Sequence, residues 1–320
     1  MTQLSRPPFD PELDAVLALA GDQIPIVTPD LIQTLRETPL PIDVSEGPLR
    51  AAGLTKREIT VRGHEGVELA ASVIACADHT GTGPGIYHVH GGGMIAGERM
   101  VGVSQIVPWI VEHDAVAVTV EYRLAPEFPD PIPVEDCYAG LLWTAEHAAE
   151  LGIDPDRLMI AGASAGGGLA AGAALLARDR KGPDLIGQVL ICPMLDDRDQ
   201  TVSTLQYDDA GMWLRESNRT GWNALLGDRR GTEDVSAYSA PARATDLSGL
   251  PPAFIDCGSA ELFRDEDVAY ATALWAAGVQ AELHVWPGGF HGFDMVAPHT
   301  ALAQAATASR NEWVARLLGT

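Results

Sequence analysis

The densest chemistry in the chain lies at 158–177, LMIAGASAGGGLAAGAALLA. An apolar run enters Gly162-Ala163-Ser164-Ala165-Gly166, and a stretch of small residues with helical character leaves it. Glycines two residues either side of a serine permit a tight strand-to-helix turn, because side chains there would collide with the adjoining strand and helix. The turn lifts the Ser164 hydroxyl clear of the sheet at a helix N-terminus, where peptide dipoles favour a developing oxyanion. Ser164 is therefore the candidate nucleophile, and the Ala165 N–H a candidate oxyanion donor. A second glycine run, His90-Gly91-Gly92-Gly93-Met94, follows the apolar segment 85–90. Three glycines let backbone N–H groups point into a cavity, as a tetrahedral intermediate requires. A phosphate cradle is the other use of such a loop, but no G-K-[ST] or G-x-G-x-x-G register follows.

A serine nucleophile needs an imidazole base. Of nine histidines, three come late in the chain. His284 lies inside a strand pattern and His299 begins the last helix, whereas His291, in PGGFHGF, follows the last strand on a glycine-rich loop that can reach over the sheet. His90 is expected to hold its loop rather than act as base. For the acid, Asp256, Glu261 and Asp265 all follow or end the strand 252–257; Asp265 and Glu266 open a helix, where negative charge has a structural explanation.

The elements that must position these residues alternate. Strand-like segments run REITVRG, VELAASVIAC, GIYHVH, AVAVTV, LMIAGA, IGQVLIC, PAFIDC and AELHVW, with helical patterns at 101–113, 133–151, 165–180, 264–277 and 300–318. Near-continuous apolar strands alternating with helices predict an α/β fold, with a mostly parallel eight-stranded sheet covered on both faces after an early hairpin. Two stretches depart from this. Residues 1–52 are broken by Pro7, Pro8, Pro11, Pro25, Pro29, Pro39, Pro41 and Pro48 into short helical pieces, around PELDAVLALA and TPDLIQTLRE, the second with Thr28 as cap and Pro29 at the first helical position. Residues 196–245 read as loop and short helix with Tyr207, Trp213 and Trp222, an excursion long enough to be an insertion over the active-site face. The expected division is an N-terminal helical cap segment at 1–52 and a catalytic domain at 53–320 carrying the cap insertion at about 196–245.

HGGG at 90–93, Tyr122-Arg123-Leu124-Ala125-Pro126-Glu127 and GASAGG at 162–167 together resemble the hormone-sensitive-lipase-like (bacterial family IV) esterases of the α/β-hydrolase superfamily, from about residue 56 to the C-terminus. The resemblance implies an α/β-hydrolase fold with a helical cap and a carboxylesterase acting on short acyl esters without a cofactor or metal. It also implies an oxyanion hole from the Gly91, Gly92 and Gly93 amides plus Ala165. The family's D-P-L-R-D-E pattern falls on ELFRDE, which makes Glu261 the acid orienting His291, with Glu in place of the commoner Asp. Arg123 and Glu127 are expected to form a structural ion pair behind the loop. Ala163 and Met94 stand where many members carry a polar residue and a bulky aromatic; Met94, Tyr207 and Trp213 are the candidate substrate-binding residues.

With 46% apolar residues the chain can bury one large core, and a formal charge of −23 disfavours nucleic acid and anionic membrane surfaces as partners. No segment holds the uninterrupted apolar run of a membrane span, and the opening residues lack a signal-peptide pattern. Four cysteines lie far apart without CxxC spacing, which fits free thiols in a cytoplasmic protein. AELHVW is an expected edge strand able to pair with its copy in a homodimer. The same residues would serve a lactonase, amidase or transacylase; a non-catalytic small-molecule receptor on this fold is the reading of a different class.

Overall fold

Strands that are apolar along both faces must be sandwiched between layers of helix. The computed structural model describes residues 4–20, 26–38 and 46–319. Within them eight strands form one sheet in the order β1-β2-β4-β3-β5-β6-β7-β8. β1 (Leu54–Arg62) and β2 (Glu68–Cys76) make the expected antiparallel hairpin, and β2 also pairs antiparallel with β4 (Val116–Val120). The remaining pairings, through β3 (Gly83–Val89), β5 (Ile153–Ala163), β6 (Gly187–Ile191), β7 (Ala253–Gly258) and β8 (Ala281–Trp286), are parallel. Every residue of β3, β4, β6 and β7 is buried. β8 is only partly covered and pairs on one side, with β7.

Alternate strand residues feed two cores, as a period of two demands. Tyr87 and Ile160 join α5 (Ile132–Glu146), α7 (Ala165–Arg180) and α10 (Arg264–Ala276) on one face. Ile86 and Met159 join α3 (Glu46–Ala51), α4 (Val103–His113) and α12 (Ala301–Leu318) on the other. Each large side chain so buried stabilises the fold by roughly 1.5–3 kcal/mol. The helix expected over 133–151 breaks into α5 and α6 (Ala148–Leu151). At the break, His147 stacks on Trp143 at 4.1 Å and its Nδ1 lies 2.9 Å from the Trp143 carbonyl, with backbone out of the helical range at φ −104° and ψ 12°.

Among the described residues the two irregular stretches contain no strand. α1 (Pro11–Ala20), α2 (Ile32–Glu37) and α3 lie in the first, with a 3-10 turn at Pro29–Leu31 where the sequence suggested helix; the Thr28 hydroxyl donates to Asp30 at 2.7 Å instead of capping. Pro25, Pro39 and Pro41 lie outside the described residues. α8 (Val202–Gln206) and α9 (Arg215–Leu226) occupy the second. The stretches bind each other: the Tyr207 hydroxyl donates to the Pro7 carbonyl at 3.0 Å, Gln206 to the Ser5 carbonyl at 2.5 Å, and the Val27 N–H to Ser217 at 2.9 Å. Arg6 pairs with Asp209.

Candidate active site

β5 ends at Ala163 and α7 begins at Ala165, leaving Ser164 alone between them at φ 58° and ψ −125°. Such backbone costs about 1–3 kcal/mol for a residue with a side chain and persists only where its surroundings force it. The forcing contacts are backbone bonds to the end of β6: Ser164 N–H donates to Ile191 at 2.8 Å, and Met194 N–H donates to Ser164 at 2.9 Å. A Cβ on Gly162 would lie 2.2 Å from the Gly166 carbonyl oxygen, and one on Gly166 2.2 Å from that of Val89. The glycines flanking Ser164 are therefore required by close approach.

The loops leaving β7 and β8 deliver two partners to this serine. His291 Nε2 stands 2.9 Å from Ser164 Oγ, across 127 residues of chain. His291 Nδ1 donates to Glu261 Oε2 at 2.6 Å, and Glu261 Oε1 accepts the Gly258 N–H at 2.6 Å. A carboxylate only accepts, so this network assigns the ring proton to Nδ1 and turns the Nε2 lone pair toward the serine. Phe263 meets the imidazole edge-on at 5.1 Å, and Glu261 is buried. The competing acids are committed elsewhere. Asp256 accepts from Arg310 at 2.9 Å and from the Trp286 indole at 3.2 Å; Asp265 accepts from the Ser203 N–H at 2.8 Å and from Arg264. His284 bonds Glu282 and stacks between Phe254 and Trp286.

The N–H groups of Gly91, Gly92, Gly93 and Ala165 donate to no carbonyl among the described residues, which leaves them available to an oxyanion. A Cβ on Gly91 would sit 3.5 Å from Ser164 Cβ, so the glycine run passes beside the nucleophile. His90 stacks on Tyr122 at 4.1 Å, its Nδ1 donates to the Gly91 carbonyl at 2.9 Å, and Tyr122 donates to the His90 carbonyl at 3.0 Å. Burial pulls the His90 pKa down to about 4, so the ring is neutral and serves the loop.

The expected pocket residues separate. Trp213 lies against the Gly91–Gly93 loop: a Cβ on Gly93 would come 2.7 Å from its ring. Met94 is buried in the core, and the carbonyl of this left-handed residue (φ 63°) accepts from Ala125 at 2.9 Å; an inward-turned thioether has no surface to offer a ligand. Tyr207 is also buried, its hydroxyl spent on Pro7. The expected Arg123–Glu127 pair does not form. Arg123 instead grips Asp136 at 2.8 Å, and Glu127 pairs at 2.8 Å with Arg36 of α2, whose guanidinium also donates to the Ile95 carbonyl at 2.7 Å and the Ala125 carbonyl at 2.8 Å. No sequence pattern announces Arg36, because its partners lie 59 to 91 residues away. The same holds for Asn218, which reads as the polar side of α9 yet is buried. Its amide, and the indole N–H groups of Trp213 and Trp222, have no partner among the described residues.

One set of donor atoms, Cys192, Glu261 and His291, lies within 4.8 Å. Glu261 and His291 already face each other, and burial pushes the Cys192 thiol well up, so the set suits proton transfer rather than cation binding.

This geometry matches known proteins. A family model described as the alpha/beta hydrolase fold matches residues 86–295. The chain is 39% identical over 229 residues to carboxylesterase NlhH of Mycobacterium tuberculosis, covering 69% of this chain and 70% of that one. Among solved structures, a bacterial heroin esterase superposes with a TM-score of 0.87 at 37% identity, covering 97% of this chain and 98% of the other. The esterase LipW from Mycobacterium marinum superposes at 0.83 with 32% identity, covering 98% of each.

Proposed function

Because the chain belongs to the α/β-hydrolase fold family, among its hormone-sensitive-lipase-like esterases, and is a carboxylic-ester hydrolase, we propose that Ser164, His291 and Glu261 form its catalytic triad. The observation that carries this reading is the continuous line Ser164 Oγ, His291 Nε2, His291 Nδ1, Glu261 Oε2, at 2.9 and 2.6 Å. His291 takes the proton of Ser164 as the hydroxyl attacks the ester carbonyl. The tetrahedral oxyanion rests on amides of the Gly91–Gly93 run and Ala165. His291 then returns the proton to the departing alcohol, and activates the water that hydrolyses the acyl-enzyme. Glu261 keeps the imidazole in the productive tautomer and stabilises its charged form.

Residues 1–52 and 196–245 together act as the cap, and their mutual hydrogen bonds support that reading. The substrates are short-chain carboxylic esters, a reading that the close approach of Trp213 to Gly93 supports by narrowing the space beside the glycine loop. The one-sided pairing of β8 supports a homodimer formed along that edge, and the four free thiols fit a reducing cytoplasm.

The decisive experiment is Ser164→Ala assayed on an acetate-to-laurate series of activated esters, with matched lactone and amide substrates beside them. Loss of nearly all turnover, with the wild type fastest on acetate to butyrate, is the expected result. Retained turnover sinks the nucleophile assignment. A wild-type optimum at laurate sinks the short-chain reading, and faster turnover of the lactone or amide would reassign the reaction to that bond.

A further inference from the structure

Arg310, on the C-terminal helix α12, is buried beneath the loops that carry Glu261 and His291. Its Nη2 donates to Asp256 Oδ2 at 2.9 Å and its Nη1 to Asp294 Oδ2 at 3.0 Å. Each of these carboxylates sits on the backbone that carries one member of the proposed acid–base pair. Asp256 lies near the end of β7; two residues on, the Gly258 N–H donates to Glu261 Oε1 at 2.6 Å. Asp294 lies in α11 (Phe293–Val296), three residues after His291, and also accepts from Gln105 of α4 at 2.9 Å. Trp286, at the end of β8, donates to the same Asp256 oxygen that Arg310 holds.

A cavity of about 10 Å³ has Glu261, Asp256, Asp294, Arg310 and Cys192 together in its wall. Asp256 Oδ1 and Arg310 Nε, on two of the residues in its wall, have no hydrogen-bond partner among the described residues. Arg310 thus bonds both a carboxylate near the end of β7 and one just after His291, and the cluster is placed to hold the two loops in register from below.

We propose that Arg310 is a positioning residue for catalysis, a buried clamp that fixes the Glu261 loop through Asp256 and the His291 loop through Asp294. This rests on the triad reading above. The Glu261–His291 bond needs both loops placed to a few tenths of an ångström, and a planar guanidinium can donate to two carboxylates in fixed directions, whereas an ammonium carries no such fork. A clamp used for stability alone would leave turnover intact once the protein folds.

The test compares Arg310→Lys and Asp294→Asn with wild type and Ser164→Ala on one activated acetate ester. Melting temperature, kcat and KM are measured, together with the low-field proton resonance of the His291–Glu261 bond. The expected result for Arg310→Lys is a kcat lower by about 30- to 300-fold with KM within about threefold, and a broadened or lost resonance at a temperature where the protein is folded. Asp294→Asn keeps the shape and should lower kcat by about tenfold, the His291 side of the clamp alone being loosened. Should Arg310→Lys not fold, Asp294→Asn decides. Variants that melt earlier yet keep wild-type kcat and an intact resonance overturn the proposal, because Arg310 would then be a structural ion pair only. If Ser164→Ala stays active, the triad reading itself has failed and the clamp falls with it; loss of activity in Ser164→Ala beside unaltered Asp294→Asn rejects the clamp alone.

Discussion

Ser164, Glu261 and His291 stand on turns that leave β5, β7 and β8, whereas the stretches 1–52 and 196–245 contain no strand among the described residues. The first region is held mainly by backbone. Ser164 is bonded on both sides to the end of β6, Gly258 N–H grips Glu261, and the Ala260 N–H donates to the Gly289 carbonyl at 3.0 Å. The second is held mainly by side chains: Arg36 to Ile95, Ala125 and Glu127, Arg6 to Asp209, Tyr207 to Pro7, and Val27 to Ser217. A site anchored by backbone tolerates little displacement. A cover anchored by long side chains can shift, one contact at a time, to admit a substrate.

The comparison is broken most directly at the acid. Glu261→Gln should lower kcat by about 10³–10⁴, because the amide can present its N–H to His291 and stabilise the wrong tautomer. Asp256→Asn should cost far less activity, and steady-state kinetics on one ester separates the two. A dead Asp256→Asn beside a near-normal Glu261→Gln would move the acid to β7 and detach the Glu261 loop from the chemistry.

That contrast also decides what could be read from the chain alone. Gly162, Ser164 and Gly166 announce their turn locally through the spacing of the glycines about the serine, although the contact that excludes a side chain at Gly166 comes from Val89 on β3; Gly289, His291 and Gly292 do the same after β8. The eight strands were legible for a related reason, since burial on both faces leaves long apolar runs. Glu261 required the resemblance to a family motif, as three acids competed on residue type alone. Arg36, Arg310 and Asn218 carried no signal. An arginine whose partners are 59 or 54 residues away looks like any surface cation until the fold brings them together. The expected Arg123–Glu127 pair failed for the same reason. The resemblance suggested it through the YRLAPE segment, but the partners each found, Asp136 and Arg36, were supplied by tertiary structure.

The oxyanion loop is where the two regions meet, and its anchoring can be sharpened by pH. His90 is pulled down to about 4 by burial, below the unfolded value near 6.5. A depressed folded pKa means the unfolded state binds the extra proton first. The His90 contribution is therefore present above pH 6.5 and lost as pH falls toward 4, by about 2 kcal/mol at pH 5. Buried Glu266 and Asp267, pushed up by desolvation, act with the opposite sign but equally in both proteins. His90→Phe keeps an aromatic ring to stack on Tyr122, so its stability should fall less between pH 7 and pH 5 than that of wild type. Denaturant melts at the two values check this; equal slopes would mean that His90 titrates freely in the folded protein.

On the side-chain-anchored side, Arg36→Met removes the four-bonded guanidinium while keeping much of its apolar stem. Losing roughly 1–1.5 kcal/mol of loop positioning should lower kcat/KM about tenfold, with little change in melting temperature. A variant that instead melts much earlier at unchanged kcat/KM would make Arg36 part of the fold's backbone-held core, and the distinction between the two regions would lose its sharpest example.

The smallest effect expected is on choice of substrate. Gly221 of α9 abuts the Gly93 carbonyl, which a Cβ there would approach to 2.7 Å, and Asn218 lies one turn earlier on the same helix, buried with its amide unpartnered. A buried amide without partners is destabilising by roughly 1–3 kcal/mol, a penalty that an oxygen-bearing acyl group reaching it would relieve. Asn218→Leu should therefore stabilise the protein slightly. It should also shift the ratio of kcat/KM for a methoxyacetate ester over the isosteric butyrate by about three- to tenfold toward the butyrate. The ratio is the informative quantity, because a cover that merely moved would change both esters alike. An unchanged ratio would place Asn218 away from the acyl group.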